Sequence, residues 1–254
     1  MQFRILGATG IEVSALAFGA GPVPALMTSN NRRRQHDTLR RALDAGINWI
    51  DTAASYGNGQ SETGLGRSLH DLSALGDVHL ATKLRLATTG LSDIETSVRE
   101  SVAGSCKRLG VSCITLLQLH NSITVRRGDK PSSLAPDDIL GRHRVLNAFL
   151  ELQDEGVIKH FGLTAIGHMD SLRQVINSGR FATIQVPYNL LNPSAGESVS
   201  SEFTEVDYGN VMKDCTSRNM GVFAIRVLAG GALAGQPPSQ HTYKTKFRSE
   251  EHTS

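Results

Sequence analysis

Short apolar runs alternate with helical stretches along most of the chain, and this alternation restricts the fold more than any other feature. The apolar runs are interpreted as seven strands, at residues 15–18, 48–50, 78–81, 114–119, 160–163, 183–186 and 222–225. Six helical stretches lie between them, at residues 35–45, 62–69, 91–109, 145–155, 170–177 and 208–218. Repeated strand, helix, strand units predict parallel strands joined by right-handed crossovers.

A closed barrel and a doubly wound sheet both contain such units, and the glycines distinguish the two. A doubly wound sheet would normally carry a G-x-G-x-x-G turn after its first strand. That spacing is missing, because Gly57 and Gly59 are followed next by Gly64, and we interpret these glycines as a turn into a helix. The residues therefore favour a closed α/β barrel. Residues 2–6 and 11–14 flank a GATG turn, which predicts a β-hairpin ahead of it.

Length and composition predict the number of domains, the kinds of partner and the cellular compartment. The length of 254 residues, with 39% hydrophobic residues, fits one domain. A net charge of only +2 predicts neither nucleic-acid nor membrane partners. Three cysteines without a CxxC pair favour a reducing compartment, so we expect a cytoplasmic protein. No signal-peptide core, membrane-length apolar run or HExxH spacing is present, so we expect no membrane anchor and no metal site.

Four polar residues stand just after three successive predicted strands: Asp51 and Tyr56, then Lys83, then His120. Residues that follow the strands of a barrel converge on one face, which carries the chemistry of barrel enzymes. Hydride delivery to a carbonyl leaves negative charge on oxygen, so a proton donor must lie within hydrogen-bond reach, and Tyr56 is the candidate. A nearby ammonium such as Lys83 favours the anion of a phenol. Asp51 would hold Lys83 charged, and His120 would hydrogen-bond the substrate oxygen.

Each of these residues also has a purely structural interpretation. Asp51 could cap a turn, and Tyr56 could be a half-buried aromatic residue. Lys83 could be a solvated strand end, and His120 could be a core histidine with its hydrogen bonds satisfied. Because all four follow consecutive strands, a shared catalytic role is favoured over four separate structural ones.

The sequence resembles the aldo-keto reductase family over nearly its whole length. The resemblance is carried by the segments LGATGIEVSALAFG, GINWIDTAASYGNGQSETGLGRSL, LATK, LLQLH, GVIKHFGLT, IQVPYNLLN and GVFAIRVLAGGALAG. It implies a TIM-type (β/α)8 barrel that binds an extended nicotinamide cofactor across the C-terminal ends of its strands, without a Rossmann domain. It also implies that Asp51, Tyr56, Lys83 and His120 are the catalytic tetrad. The residues leave the choice of cofactor open, and the resemblance favours NADP(H) over NAD(H).

The resemblance further assigns cofactor contacts after the later strands. Gln185 matches the family residue that hydrogen-bonds the nicotinamide carboxamide. Where the family has a Ser-Asn pair, this chain has Thr164 and Ala165, so the hydroxyl is retained and the amide is lost. Ile225 stands where many members stack an aromatic residue on the nicotinamide ring. Three further candidates follow it, namely Arg226 and then Leu228 and Gly230, which begin a glycine-rich loop that either approaches the pyrophosphate or is a flexible surface loop.

The end of the chain departs from the family pattern. After Gly235 the sequence becomes polar, and no eighth strand with its helix follows. In the family this stretch carries basic residues for the adenosine 2'-phosphate. The last seven residues, RSEEHTS, match the translation of the start of a widely used sequencing adapter. We therefore expect an incomplete barrel over residues 1–247 with unpaired strand edges, an adapter-derived tail at 248–254, and weak or absent cofactor binding.

The leading functional hypothesis is NAD(P)(H)-dependent interconversion of an aldehyde, ketone or sugar carbonyl and its alcohol. The TGIEVS and IRVLAGGALAG segments resemble the branch that contains sugar dehydrogenases and channel β-subunit-like proteins. A cofactor-binding regulatory protein of the channel type and an inactive fragment of the enzyme stay open as alternatives. An aldolase or isomerase that forms a Schiff base at Lys83 is disfavoured, because an amine nucleophile must be neutral. The expected partner is a small carbonyl compound or sugar, and the oligomeric state is not predicted.

Overall fold

The computed structural model describes residues 1–21 and 26–235, which contain nine strands, seven α-helices and two short 3-10 helices, Gly7–Thr9 and Ala229–Gly231. The strands are β1 (Phe3–Ile5), β2 (Glu12–Ser14), β3 (Phe18–Gly19), β4 (Trp49–Asp51), β5 (His79–Leu84), β6 (Ile114–Leu119), β7 (Ile158–Thr164), β8 (Thr183–Pro187) and β9 (Gly221–Ile225). The helices are α1 (Arg32–Asp44), α2 (Gln60–Asp71), α3 (Ile94–Leu109), α4 (Pro136–Leu140), α5 (Val145–Asp154), α6 (Met169–Asn177) and α7 (Val211–Ser217).

Strands β3 to β9 form one parallel sheet whose spatial order is the order of the chain. This order identifies barrel winding, because a doubly wound sheet reverses its strand order at a switch point. The expected barrel-type α/β fold is confirmed. Within the described residues β3 and β9 each have one neighbour, so seven of the eight strands of a TIM-type barrel are present and the sheet is open between them.

All seven predicted strands of this sheet are present, and the differences lie at element ends. The first strand comprises Phe18 and Gly19 rather than residues 15–18. Helix α3 begins at Ile94 rather than at residue 91, because the Asp93 side chain accepts a hydrogen bond from the Thr96 amide at 3.0 Å and caps the helix there. Helix α7 begins three residues late, because Asn210 adopts a left-handed backbone conformation with φ 54°. The five-residue helix α4 was not predicted.

The predicted hairpin is formed by β1 and β2, which pair antiparallel. Its apolar side covers the end of the sheet at which the strands begin. Leu6 packs against Gly221, and the Ala8 amide donates to the Asn219 carbonyl at 2.8 Å. Leu6 also belongs to a buried cluster with Trp49, whose ring stacks on Phe223 at 4.8 Å between centroids. The hairpin therefore closes this end and leaves the C-terminal ends of the strands open.

The main core lies between the outer face of the sheet and the helices. Three phenylalanines anchor it: Phe161 on β7 contacts Phe149 on α5 and Phe181 before β8, each at 5.5 Å between ring centroids. Aromatic side chains bury large apolar areas, and the tilted and edge-on geometries of these two pairs are favourable ones. This packing holds the helices on the outside and turns the other face of the strands inward.

The inward face carries polar side chains in register. Lys83 on β5 is paired with Gln118 on β6, which is paired in turn with Gly162 on β7 and, through it, with Thr183 on β8. Register partners on parallel strands project from the same side of a sheet, so this row lies inside the barrel. One further register pair, Thr164 with Gln185, lies two residues nearer the C-terminal ends of the strands.

Close contact between helices α2 and α3 generates a stability prediction. A Cβ atom at Gly66 would lie 2.4 Å from the Leu109 carbonyl oxygen, so Gly66→Ala forces the two helices apart. We expect a loss of about 1–3 kcal/mol in the free energy of unfolding, measured by urea titration. The control is Gly76→Ala, because a Cβ there meets no atom within 4 Å and its effect should stay within about 0.5 kcal/mol. Equal losses in the two variants would contradict this packing.

Candidate active site

A fully buried lysine is the centre of the candidate site. The Lys83 side chain is 1% exposed, and its Nζ donates to Asp51 Oδ2 at 2.5 Å. A second hydrogen bond runs from Nζ to the backbone carbonyl of Thr52 at 2.8 Å. Asp51 ends β4 and Lys83 lies near the end of β5, so the pairing of these neighbouring strands brings the two charges together.

The ammonium group of Lys83 is held in its charged form. Burial by itself lowers the pKa of Lys83, but the negative charge of Asp51, the Tyr56 oxygen and the hydrogen bonds to both outweigh burial, and the pKa is raised. Lys83 Nζ also lies 5.1 Å from the centre of the Tyr56 ring. The site therefore contains a fixed positive charge beside a phenol.

Tyr56 reaches this charge from the segment that joins β4 to α2. Immediately after it, Gly57, Asn58 and Gly59 all have positive φ, and this turn leads the chain into the helix as the glycine spacing predicted. A Cβ at Gly57 would lie 2.8 Å from Thr28 Cγ2, so the turn also has no room for a larger residue. The half-buried Tyr56 is thereby directed back over the strand ends.

His120 completes the predicted group of four. Its ring lies edge-on to the Tyr56 ring, with 5.9 Å between centroids. Burial and, after it, the positive charges of Lys83 and Arg85 lower the pKa of His120 to about 3, so the imidazole is neutral at physiological pH. Its Nδ1 is buried without a hydrogen-bond partner in the described part of the chain. A neutral imidazole beside the phenol can donate one N–H to a substrate oxygen.

The second oxygen of Asp51 is held by two glutamines. Gln185 Nε2 donates to Asp51 Oδ1 at 2.7 Å, and Gln118 Nε2 donates to the same atom at 3.2 Å. Gln185 was expected at the cofactor, and the structure places its amide nitrogen on the carboxylate. Gln118 was not predicted at all. Strand alternation offered a signal for it, because Gln118 precedes His120 by two residues and so projects from the same side of β6.

A buried ion pair fixes helix α2, and with it the Tyr56 segment, to the barrel wall. Glu62 is fully buried and accepts from Thr82 Oγ1 and from Arg108 Nε, both at 2.6 Å. Thr82 directly precedes Lys83, and Glu62 follows Tyr56 by six residues. This contact therefore links the two chain segments that carry the phenol and the ammonium. Sequence reasoning missed it, because Arg108 lies 46 residues from Glu62.

The expected cofactor residues fall into two groups. Thr164 and Gln185 are buried register partners at the ends of β7 and β8, next to the group of four. The Thr164 hydroxyl donates to the Leu119 carbonyl at 3.1 Å, and the buried Ala165 lies directly after it. The second group lies at and beyond the end of β9 and comprises Ile225, Arg226 with φ 59°, the 54% exposed Leu228, and Gly230 with φ 69°.

Comparison with known proteins identifies the family to which the chain belongs. The model of the Aldo/keto reductase family matches residues 15–253. The chain belongs to this family. It is 30% identical over 232 residues to the aldo-keto reductase YhdN of Bacillus subtilis, covering 87% of the chain and 65% of that protein. It is 28% identical over 251 residues to L-galactose dehydrogenase of Arabidopsis thaliana, covering 98% and 72%.

Other relatives extend the range of the family. The chain is 28% identical over 209 residues to a putative voltage-gated potassium channel subunit beta of Schizosaccharomyces pombe, covering 78% of the chain and 53% of that protein. Among solved structures, the holo form of aldo-keto reductase AKR11C1 from Bacillus halodurans superposes with a TM-score of 0.72 at 22% identity, covering 94% and 71%. An aldo/keto reductase from Klebsiella pneumoniae gives 0.68 at 20% identity, covering 92% and 72%. These structural similarities show the aldo/keto reductase fold.

Residues 1–21 and 26–235 contain neither a cluster of metal ligands nor a helix that could cross a membrane. No group of three or more His, Cys, Asp or Glu side chains is arranged to hold a metal ion. None of the helices described there has the length and apolar character needed to cross a membrane.

The neutral state of His120 generates a pH prediction. Its pKa falls from an ordinary 6.5 in the unfolded chain to about 3 in the folded one, so between these values only the unfolded state binds the proton. The contribution of His120 to stability is complete above pH 6.5 and is lost as the pH falls towards 3, by up to about 1.4 kcal/mol per pH unit. Urea unfolding of His120→Asn between pH 7 and 5 should show a shallower decline than the unaltered protein.

His70→Asn is the matched control, because the His70 side chain is 82% exposed. Its decline with falling pH should parallel that of the unaltered protein. Parallel declines in both histidine variants would show that His120 protonates freely in the folded state.

Proposed function

We propose that the chain is the catalytic barrel of an NAD(P)(H)-dependent oxidoreductase that interconverts an aldehyde, ketone or sugar carbonyl and its alcohol. The observation that carries this proposal is the buried Lys83–Asp51 ion pair beside the Tyr56 phenol and the neutral His120 imidazole. A cation buried at a strand end next to an ionisable hydroxyl suits a site that transfers protons. Family membership supports the same reaction class.

Tyr56 is the proposed general acid for carbonyl reduction and the general base for the reverse direction. When its hydroxyl gives a proton to the developing alkoxide, the phenol becomes a phenolate 5.1 Å, measured to the ring centre, from the Lys83 ammonium. That positive charge stabilises the phenolate and so favours the transfer. Asp51 keeps Lys83 protonated and prevents its ammonium from turning away.

His120 is the proposed hydrogen-bond donor to the substrate oxygen. Because its pKa is lowered to about 3, it remains neutral and polarises the carbonyl without competing with Tyr56 as an acid. A donor already in place as negative charge develops stabilises the transition state more than water does, because it needs no reorganisation. The edge-on contact of the Tyr56 and His120 rings brings the proposed acid and the proposed hydrogen-bond donor next to one another, which supports a shared role at one oxygen.

A nicotinamide cofactor would supply the hydride in this reaction. The residues at the ends of β7 and β8 fit its carboxamide, because Thr164 offers a hydroxyl oxygen and Gln185 the carbonyl oxygen of an amide whose nitrogen is on Asp51. Both residues are at least 96% buried and adjacent in register. Ile225, Arg226, Leu228 and Gly230 are the proposed further contacts at the end of β9. We propose NADP(H) rather than NAD(H), and the presence of NADP and acetate in the Klebsiella pneumoniae structure supports this choice.

The relatives and the cysteines support proposals for the substrate and the cellular compartment. The substrate is a small carbonyl compound or sugar, as the names of the L-galactose dehydrogenase and D-threo-aldose 1-dehydrogenase relatives suggest. Cys106, Cys113 and Cys215 are all free thiols, which supports a reducing compartment and hence the cytoplasm.

A regulatory protein that binds the cofactor is the second candidate, favoured by the similarity to the putative channel subunit. An inactive fragment is the third, favoured by the edge of β9 that no strand within the described residues pairs with. A Schiff base at Lys83 stays disfavoured, because the lysine is paired with Asp51 and its pKa is raised rather than lowered.

Cofactor affinity is expected to be low in the 254-residue chain. None of the described strands pairs with the free edge of β9, Ala165 offers no amide, and Ile225 offers no aromatic face. Titration of the purified chain with NADPH, followed by nicotinamide fluorescence, should give a dissociation constant weaker than micromolar. A micromolar or tighter constant would contradict this expectation.

Turnover tests the proposed reaction. A panel of aldehydes, ketones and sugars is assayed at millimolar NADPH, and Tyr56→Phe should lower kcat by about 10²–10⁴-fold because the proton donor is lost. Tyr208→Phe is the control, since Tyr208 is buried in the core against α7 and should leave kcat unchanged. Cofactor binding without turnover would favour the regulatory candidate, and the absence of both would favour the inactive fragment.

A further inference from the structure

Gln118 is a fully buried amide inside the barrel that has no place in the proton transfer described above. It lies on β6, in register with Lys83 on one side and with Gly162 on the other. Its Nε2 donates to Asp51 Oδ1 at 3.2 Å. Within residues 1–21 and 26–235 its side chain makes no hydrogen bond to Tyr56 or His120, and its hydrogen bond there goes to Asp51, the partner of Lys83.

The two oxygens of Asp51 are divided between two kinds of donor. Oδ2 receives the Lys83 ammonium at 2.5 Å, while Oδ1 receives the amides of Gln185 and Gln118. Two donors converging on Oδ1 from β8 and β6 fix the rotation of the carboxylate. The other oxygen is thereby kept directed at Lys83.

The other end of the Gln118 amide is unsatisfied. Its Oε1 is buried and has no hydrogen-bond partner within the described residues. A buried acceptor without a partner lowers stability, and an apolar side chain of the same shape would remove this cost. Gln118 is therefore not explained by packing or by a satisfied core network. Its donor end, on Asp51, is what distinguishes it from an aliphatic residue at this position.

We propose that Gln118 is a positioning residue that acts through Asp51 to hold the Lys83 ammonium in place beside Tyr56. Its effect on turnover rests on the proposed function, whereas its effect on Lys83 does not. Because Gln118 is fully buried and its amide donates to Asp51, its loss changes the rate of the chemical step and not the binding of substrate.

The test compares Gln118→Met with Thr183→Val. Methionine keeps the length of the side chain and removes the amide. Thr183 lies in the same register row, and its Oγ1 is equally buried and without a partner in the described part of the chain, but it makes no hydrogen bond to Asp51. Both variants remove an unsatisfied oxygen, but only Gln118→Met also removes a hydrogen bond to the Asp51 carboxylate. Thr183→Val should therefore unfold at the same or a higher urea concentration than the unaltered protein, and Gln118→Met at a lower one.

The two variants should differ at Lys83. Protons of a buried ammonium exchange with water only when the ion pair opens, so their exchange rate reports how well Asp51 holds it. In ¹⁵N-lysine-labelled protein, with Lys83→Met used to assign the signal, Gln118→Met should raise the exchange rate at least about tenfold. Thr183→Val should leave it unchanged. In turnover assays Gln118→Met should lower kcat about tenfold with little change in KM.

The outcomes test the positioning role of Gln118 separately from the proposed oxidoreductase function. An exchange rate at Lys83 equal to that of the unaltered protein overturns the positioning role, whatever happens to kcat. An equal rise of the exchange rate in Thr183→Val overturns it as well, because the effect would then reflect packing inside the barrel and not the hydrogen bond to Asp51. A raised exchange rate confined to Gln118→Met supports the positioning role. If no form of the protein then turns over, the proposed oxidoreductase function fails while the role of Gln118 stands.

Discussion

The Lys83–Asp51 ion pair is the interaction on which the rest of the structure depends. Moving two charges out of water costs several kcal/mol for each ion, and their mutual attraction offsets this only with good geometry and further hydrogen bonds. The barrel supplies these from four places: the Thr52 carbonyl on Lys83, and Gln118 and Gln185 on Asp51, while Tyr56 lies over the ammonium. Strands β4, β5, β6 and β8 must keep their register for these contacts to form, so the charge pair and the sheet constrain one another.

Much of the fold follows from the sequence because its signals are local. The periods of the strands and helices predicted the barrel units. The position of polar residues just after strands predicted that Asp51, Tyr56, Lys83 and His120 lie close together, as they do. Element ends were less predictable, since they depend on single conformations. Asn210 delays α7 through a left-handed backbone, and Asp93 sets the start of α3 through its side chain. A periodic pattern contains neither signal.

The contacts missed are those made between distant segments. Gln118 bonds a carboxylate 67 residues before it, and Glu62 pairs with Arg108 across 46 residues. Composition and spacing can place such a residue on an inward or outward face, but they cannot say which partner it meets there. Gln185 shows the same limit, because its position was predicted while the hydrogen bond from its amide to Asp51 was not. Partner choice within a row is decided by strand curvature and side-chain length, which only the folded barrel defines.

The β1–β2 hairpin has a mechanical consequence for the open sheet. Leu6 packs against Gly221 at the start of β9, and the Ala8 amide donates to the Asn219 carbonyl just before it. The start of the chain is thereby attached to the last described strand. The hairpin thereby holds β9 at the end of the sheet where the strands begin, although none of the described strands lies between β3 and β9. If β3 and β9 move apart, the hairpin contacts keep them fixed at the end where the strands begin. The distance between β3 and β9 would therefore increase most at the C-terminal ends of the strands, where Ile225 ends β9 and the candidate site lies.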